Sequence, residues 1–192
     1  TGAALFGYTK LYGQVPGAQA EYLRVPFADV GPIVVPAGPS DDRFVYMSDV
    51  LPTAWQAVSY AGVPEVGSLA VIGLGPIGDM CCRVARHRGA AHVIGIDLVD
   101  ARLERAAARG VTTIDARRFD DDAALVDAVR DLTGGRGPDA VIDAVGMEAH
   151  GSPIAAAAHA ATMLMPRPLA SRLVLRAGVD RLAALHLAIE LV

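Results

Sequence analysis

The chain has 192 residues, enough for one well-packed domain with part of a second. Hydrophobic residues make up 53% and charged residues 20%, which excludes a disordered chain, and a net charge of −4 with no basic cluster argues against a nucleic-acid surface. Apolar runs are broken every few residues, so no stretch approaches the ~20 needed to cross a bilayer; no secretory leader is expected, and the cytoplasm is the expected location.

Residues 1–39 alternate glycines (Gly7, Gly17, Gly31, Gly38) with prolines (Pro16, Pro26, Pro32, Pro36, Pro39), around short apolar or alternating runs at 20–25 and 33–35. This texture predicts β-rich, turn-rich structure and reads as the tail of another domain, reaching to residue 43. From residue 44 the pattern turns helical. Val50, Ala54, Ala57, Val58 and Ala61 line one face, interrupted by Pro52, which predicts two helical pieces, 45–51 and 53–61.

The densest signal follows. A buried strand is predicted over 69–72, then Gly73-Leu74-Gly75-Pro76-Ile77-Gly78, then a helix with Ile77, Met80, Cys81, Val84 and Ala85 at helical spacing. In such a strand-to-helix context Gly73 permits the tight turn, Gly75 lets the backbone approach a pyrophosphate, and Gly78 lets helix and strand pack closely. The helix N-terminus offers free N–H groups and positive dipole to phosphates, and Pro76 gives up nothing in a first turn. A second strand, 91–96, leads into Asp97, roughly 20 residues beyond Gly78, where an acid hydrogen-bonds the cofactor ribose and repels a 2′-phosphate. NAD is therefore expected over NADP. The alternative is a tight strand-to-helix turn that binds something else.

The alternation continues with a helix at 101–109 (Asp100 as N-cap, Gly110 beyond its end), a strand at 111–114, a helix at 120–132 and a strand at 140–143. Strand and helix in turn predict an α/β protein with a Rossmann-type doubly wound parallel sheet over 44–192. The rhythm breaks across 147–178, read as an insertion that covers the cofactor site or makes an oligomer contact. A last helix is predicted over 180–192. Without later strands its apolar face and one sheet edge are expected to be exposed, so the piece either pairs with itself or is part of a longer ordered chain; a homo-oligomer, a dimer or tetramer, is expected.

Cys81 and Cys82 point about 100° apart on a helix and read as small core residues rather than a disulfide or metal pair. His87, His92, His150, His159 and His186 have no third ligand at useful spacing and read as structural or solvent-facing. Ser48, Ser59 and Ser68 lack a nucleophile elbow, which disfavours a hydrolase. Asp143 reads as a strand-end acid.

Taken together, Gly-Leu-Gly-Pro-Ile-Gly at 73–78, Val-Ile-Gly-Ile-Asp ending at Asp97 with Arg102 beyond it, and Thr-Gly-Gly-Arg-Gly-Pro-Asp-Ala-Val-Ile-Asp-Ala-Val-Gly ending at Gly146 resemble the zinc-dependent medium-chain alcohol dehydrogenases. Residues 17–26, residues 48–53 and the insertion after Gly146 resemble the glutathione-independent formaldehyde dehydrogenases within that family. The resemblance implies a zinc- and NAD-dependent oxidoreductase acting on formaldehyde or another small alcohol or aldehyde. Residues 1–43 would be the remnant of a GroES-like catalytic domain. The chain would be an internal piece, about half of the enzyme, lacking the other zinc ligands and inactive by itself.

The same resemblance implies roles for particular residues. Asp49 matches a carboxylate ligand of the catalytic zinc, and spacing alone leaves it an N-cap acid. Thr53 matches a residue packed on the nicotinamide, or is a helix-start threonine. Gly73, Gly75, Pro76, Ile77, Gly78, Asp97, Leu98 and Arg102 would hold the phosphates and adenosine ribose, although Arg102 is otherwise a solvated helix arginine. Ala144, Val145 and Gly146 follow the strand end where ligands of open α/β sheets bind. A non-catalytic NAD-binding module or redox sensor, and a methyltransferase, remain alternatives at this point; the segment 1–39 and the absence of a basic recognition helix favour the enzyme.

Overall fold

The computed structural model of the chain describes residues 5–7, 15–17, 20–146 and 183–192. The insertion expected over 147–178, with His150 and His159, and the first residues of the predicted last helix lie outside them. The chain divides into two compact units, residues 1–44 and 45–192.

In the first unit Phe6 and Val15 form one isolated parallel bridge, with the Gly7 N–H donating to the Val15 carbonyl at 2.9 Å. A turn closes where the Val30 and Gly31 amides both donate to the Phe27 carbonyl, and a single 3-10 turn spans Asp41–Phe44. The expected β-rich character is not met among the described residues. The runs at 20–25 and 33–35 are irregular, and Tyr22, Ile33 and Val34 are more than nine-tenths exposed. An alternating pattern makes a strand only where a neighbour completes the ladder, and among the described residues no strand pairs with these runs.

The second unit contains α1 (Val50–Ala61), β1 (Ser68–Ile72), α2 (Pro76–His87), β2 (His92–Asp97), α3 (Asp100–Ala107), β3 (Thr112–Asp115), a 3-10 turn (Ala116–Arg118), α4 (Asp122–Asp131), β4 (Ala140–Asp143) and α5 (Ala183–Leu191). The four strands form one parallel sheet in the order β3-β2-β1-β4. This is the Rossmann-type arrangement expected. Ile72 pairs with Ile96 on one side and Asp143 on the other, and Asp97 pairs with Asp115, so the C-terminal ends of all four strands finish along one edge.

Two helix expectations are corrected. A single α1 replaces the two pieces, because Pro52 is the third helical residue, where a first-turn N–H has no intrahelical acceptor to lose; residues 45–49 are turns. Asp100 is inside α3 rather than its cap. Val99 precedes it, and the Val99 amide goes to the Asp97 carboxylate instead.

Strand alternation sends Leu69 and Val71 to one face and Ala70 and Ile72 to the other. The first face packs against α1, α2 and α3 through Ala54, Val58, Cys81, Val84 and Leu103. The second packs against α4 and α5 through Leu125, Val129, Leu187 and Leu191. The apolar face of the last helix is therefore not exposed as expected: Leu187, Ala188 and Leu191 are buried beside Ile72 and Val129. Gly137, at φ +94°, makes room for this, since a Cβ there would stand 2.5 Å from the Leu191 carbonyl oxygen. At the opposite end of β1, the Asp139 carboxylate accepts from the Ser68 N–H at 2.7 Å and its hydroxyl at 2.9 Å, tying β1 to the start of β4. Among the described residues no helix is long and apolar enough to cross a membrane.

Candidate functional site

β2 and β3 lie to one side of β1 and β4 to the other, so the chain reverses direction across the sheet at β1 and opens a crevice beyond its C-terminal end. The glycine-rich loop fills that position. Gly73 turns at φ +84°, with its amide donating to the Ile96 carbonyl at 2.7 Å. Gly75 takes the N-cap of α2, Pro76 follows at its first position, and the Asp79 amide reaches back to the Gly75 carbonyl at 2.9 Å.

The three glycines differ in what a side chain would meet. A Cβ on Gly78 would overlap the Gly73 carbonyl oxygen, so only glycine lets α2 start this close to β1. A Cβ on Gly73 would press on Val145 Cγ2 at 3.0 Å. A Cβ on Gly75 would meet nothing within 4 Å. That open space beside a helix N-terminus is where a diphosphate can approach the backbone, so the loop fits a dinucleotide.

Asp97, 7% exposed at the end of β2, is tied to the same loop. Its Oδ2 accepts from the Leu74 N–H at 2.6 Å, and its Oδ1 from the Leu98 and Val99 amides at 2.7 and 2.9 Å. Arg102 Nη1 stands 3.5 Å from Oδ2. Of the four acceptor positions of this carboxylate, three are taken by backbone amides, and the fourth, on Oδ2, lies on the side Arg102 faces.

The other sequence-predicted residues fall around this loop or on α1. Ala144 and Val145 lie against Gly73, held by the Ala144 amide on the Ile72 carbonyl and the Val145 amide on Asp143 Oδ1, both at 2.9 Å. Gly146 and Leu98 are exposed, and Ile77 is half-buried in the first turn of α2. Asp49, at the N-cap position of α1, and Thr53, one turn into it, are exposed, and the Thr53 hydroxyl donates to Asp49 Oδ1 at 2.9 Å. α1 itself rests on α2, with Cys81 Sγ 3.9 Å from the Ala54 carbonyl oxygen.

A metal finds no such arrangement. Among the described residues no three His, Cys, Asp or Glu side chains converge, so Asp49 has no companion donors there and these residues do not by themselves fit a zinc site. Burial pushes the Cys81 thiol up to about 11, and burial with the neighbouring Cys81 pushes Cys82 up to about 12, which keeps both protonated and inert.

Two features escape a reading of the sequence. Gly95, inside β2, leaves the seat for the buried Leu74 side chain; a Cβ there would lie 2.9 Å from Leu74 Cδ2. A lone glycine within a strand was the available signal. The other is an ion cluster behind the loop: Arg105 Nη2 donates to the Leu74 carbonyl at 3.0 Å, Arg105 Nε lies 3.6 Å from Asp79 Oδ1, and Arg109 Nη1 reaches both Asp79 oxygens at 2.6 Å. These side chains come from α2, α3 and the turn that follows α3, so no local spacing announces them.

Comparison with known proteins agrees with this geometry. Residues 76–165 match the family described as zinc-binding dehydrogenase. A zinc-type alcohol dehydrogenase-like protein of Schizosaccharomyces pombe is 44% identical over 120 residues, covering 62% of this chain and 28% of that protein. The glutathione-independent formaldehyde dehydrogenase of Pseudomonas aeruginosa is 35% identical over 150 residues, covering 76% of this chain and 37% of that protein. Among solved structures, an alcohol dehydrogenase of Thermus sp. ATN1 superposes with a TM-score of 0.67 at 39% identity, over 74% of this chain and 41% of that one. The chain spans less than half the length of each of these relatives.

Proposed function

We propose, for a chain that belongs to the zinc-type alcohol dehydrogenase family and carries its NAD-binding domain, that residues 45–192 bind NAD in preference to NADP for the oxidation of a small alcohol or aldehyde, formaldehyde included. The observation that carries this is the glycine loop. Gly78 is confined to glycine by the Gly73 carbonyl, while a Cβ on Gly75 would meet nothing within 4 Å. Bound NAD supplies the hydride acceptor.

The chain's own residues bind and orient. Backbone amides at the start of α2 receive the diphosphate, and the remaining acceptor position of Asp97 takes a ribose hydroxyl while its charge opposes a 2′-phosphate. Leu98 and Arg102 flank the adenosine, and Ala144, Val145 and Gly146 border the path toward the nicotinamide. Thr53 packs on the nicotinamide side. Asp49 serves the whole protein as one carboxylate donor to zinc, with the other donors outside this chain. The longer enzyme works as a homo-oligomer, a dimer or tetramer, and this piece does not turn over alone. The match to a formaldehyde dehydrogenase at 35% identity supports formaldehyde, and the matches to other zinc-type alcohol dehydrogenases at 44% and 39% support a wider class.

Isothermal titration of the chain with NAD and NADP tests the binding reading. NAD is expected to bind more tightly by about tenfold or more, a difference near 1.4 kcal/mol. Absence of NAD binding, or a preference for NADP, overturns it. Zinc-loaded full-length protein that produces no NADH from formaldehyde or short alcohols overturns the substrate class.

A further inference from the structure

We propose that Arg105 is a positioning residue for the glycine loop, turning the Leu74–Gly75 peptide so that the Gly75 amide faces the diphosphate of the dinucleotide. This rests on the NAD-binding reading above. The backbone around Leu74 is gripped from two sides: its N–H donates to Asp97 Oδ2 at 2.6 Å, and its carbonyl accepts from Arg105 Nη2 at 3.0 Å. The peptide is trans, so the Leu74 carbonyl and the Gly75 N–H point in opposite directions. Holding the carbonyl back toward α3 turns the Gly75 amide the opposite way, at a residue where even an added Cβ would meet nothing within 4 Å.

Arg105 is itself oriented. Its Nε lies 3.6 Å from Asp79 Oδ1, and Arg109 Nη1 holds both oxygens of the same carboxylate at 2.6 Å. The planar guanidinium reaches the loop with one nitrogen and the acid with another, which a lysine ammonium on a flexible stem does less well. The cluster also solves an electrostatic problem. Asp79 is in the first turn of α2, where its bare charge would repel a diphosphate; two arginines against one carboxylate leave a net positive charge behind the loop.

The test is titration of the wild-type, Arg105→Ala and Arg105→Lys chains with NAD, ADP and adenosine. Arg105→Ala is expected to weaken NAD and ADP about tenfold, the scale of one lost charge-assisted hydrogen bond, and to leave adenosine within about twofold. Arg105→Lys, which keeps the charge and one donor, is expected to recover at least half of that loss on a logarithmic scale. Equal losses for ADP and adenosine would show general loosening of the domain and overturn the proposal, as would unchanged affinity for all three. A wild-type chain that binds neither NAD nor ADP removes the reading beneath it and the inference together, a different failure from intact wild-type binding that Arg105→Ala leaves untouched.

Discussion

The Leu74 N–H donates to Asp97 Oδ2 at 2.6 Å, joining the middle of the glycine loop to the end of the neighbouring strand. The acid that the sequence marks for the ribose is thus first a structural anchor. It stops β2, receives the next two amides, and holds the loop in the shape that exposes the start of α2. In the proposed reading, the carboxylate that shapes the loop is also the one that meets the ribose.

Asp97→Asn therefore acts on both. The amide keeps the shape but loses the charge and one acceptor oxygen, setting an N–H₂ against a backbone donor. Loss of about 2 kcal/mol in urea unfolding is expected, together with weaker NAD binding and a narrower gap between NAD and NADP. Unchanged unfolding with weakened NAD would show that Asp97 acts on the ligand alone.

Gly75→Ala and Gly78→Ala separate binding from folding. The Gly78 methyl collides with the Gly73 carbonyl, so α2 must move away from β1, and a loss of about 3 kcal/mol or more is expected. The Gly75 methyl meets no protein atom and its φ is −64°, so stability should change by less than about 0.5 kcal/mol. Its NAD affinity should nonetheless fall, because the methyl enters the space left for the diphosphate. A melting curve and an NAD titration for each variant check the pair.

Acid is expected to weaken the sheet through two aspartates. The side-chain hydrogen bond from Arg117 lowers Asp115 from 3.8 to about 2, and Asp139 is lowered by the Ser68 N–H, the Ser68 hydroxyl and then Arg136. A carboxylate held below its unfolded value adds stability above that value and loses it as pH falls through the folded one. The urea midpoint should therefore decline between pH of about 4 and 2, and Asp115→Asn should flatten the decline. A wild-type midpoint that stays level across that window contradicts both assignments.

Leu191→Ala tests the seating of the last helix. The side chain is fully buried between α4 and the sheet, so truncation should cost about 2–4 kcal/mol. Ile189→Ala, on the exposed face of the same helix, should change stability little. Similar small effects for both in chemical denaturation would mean that α5 is not part of the cooperative core.

Much of the second unit was legible in the sequence because its information is local. Strand 140–143 is found where predicted, and the other strands within a residue or so, since short apolar runs between glycines and acids admit few alternatives. The spacing from Gly73 to Gly78 carries a backbone path, and Asp97 follows from the length of one strand–helix–strand unit. Asp49 and Thr53, one helical turn apart, meet through a hydrogen bond that their spacing allows.

Where the expectations missed, the deciding partner was distant in sequence. The runs at 20–25 and 33–35 carry a strand's alternation, but pairing depends on a neighbour that alternation cannot supply. Pro52 breaks a helix or starts one according to where the first turn falls. The face of α5 is covered because Gly137, some fifty residues earlier, lets its end settle on α4 and the sheet. Local pattern settled the order of elements and the chemistry of the loop. Tertiary packing alone decided that Asp97 and Arg105 grip that loop, with Asp79 holding Arg105, because side chains on α2, α3 and the end of β2 become neighbours only once the sheet has formed.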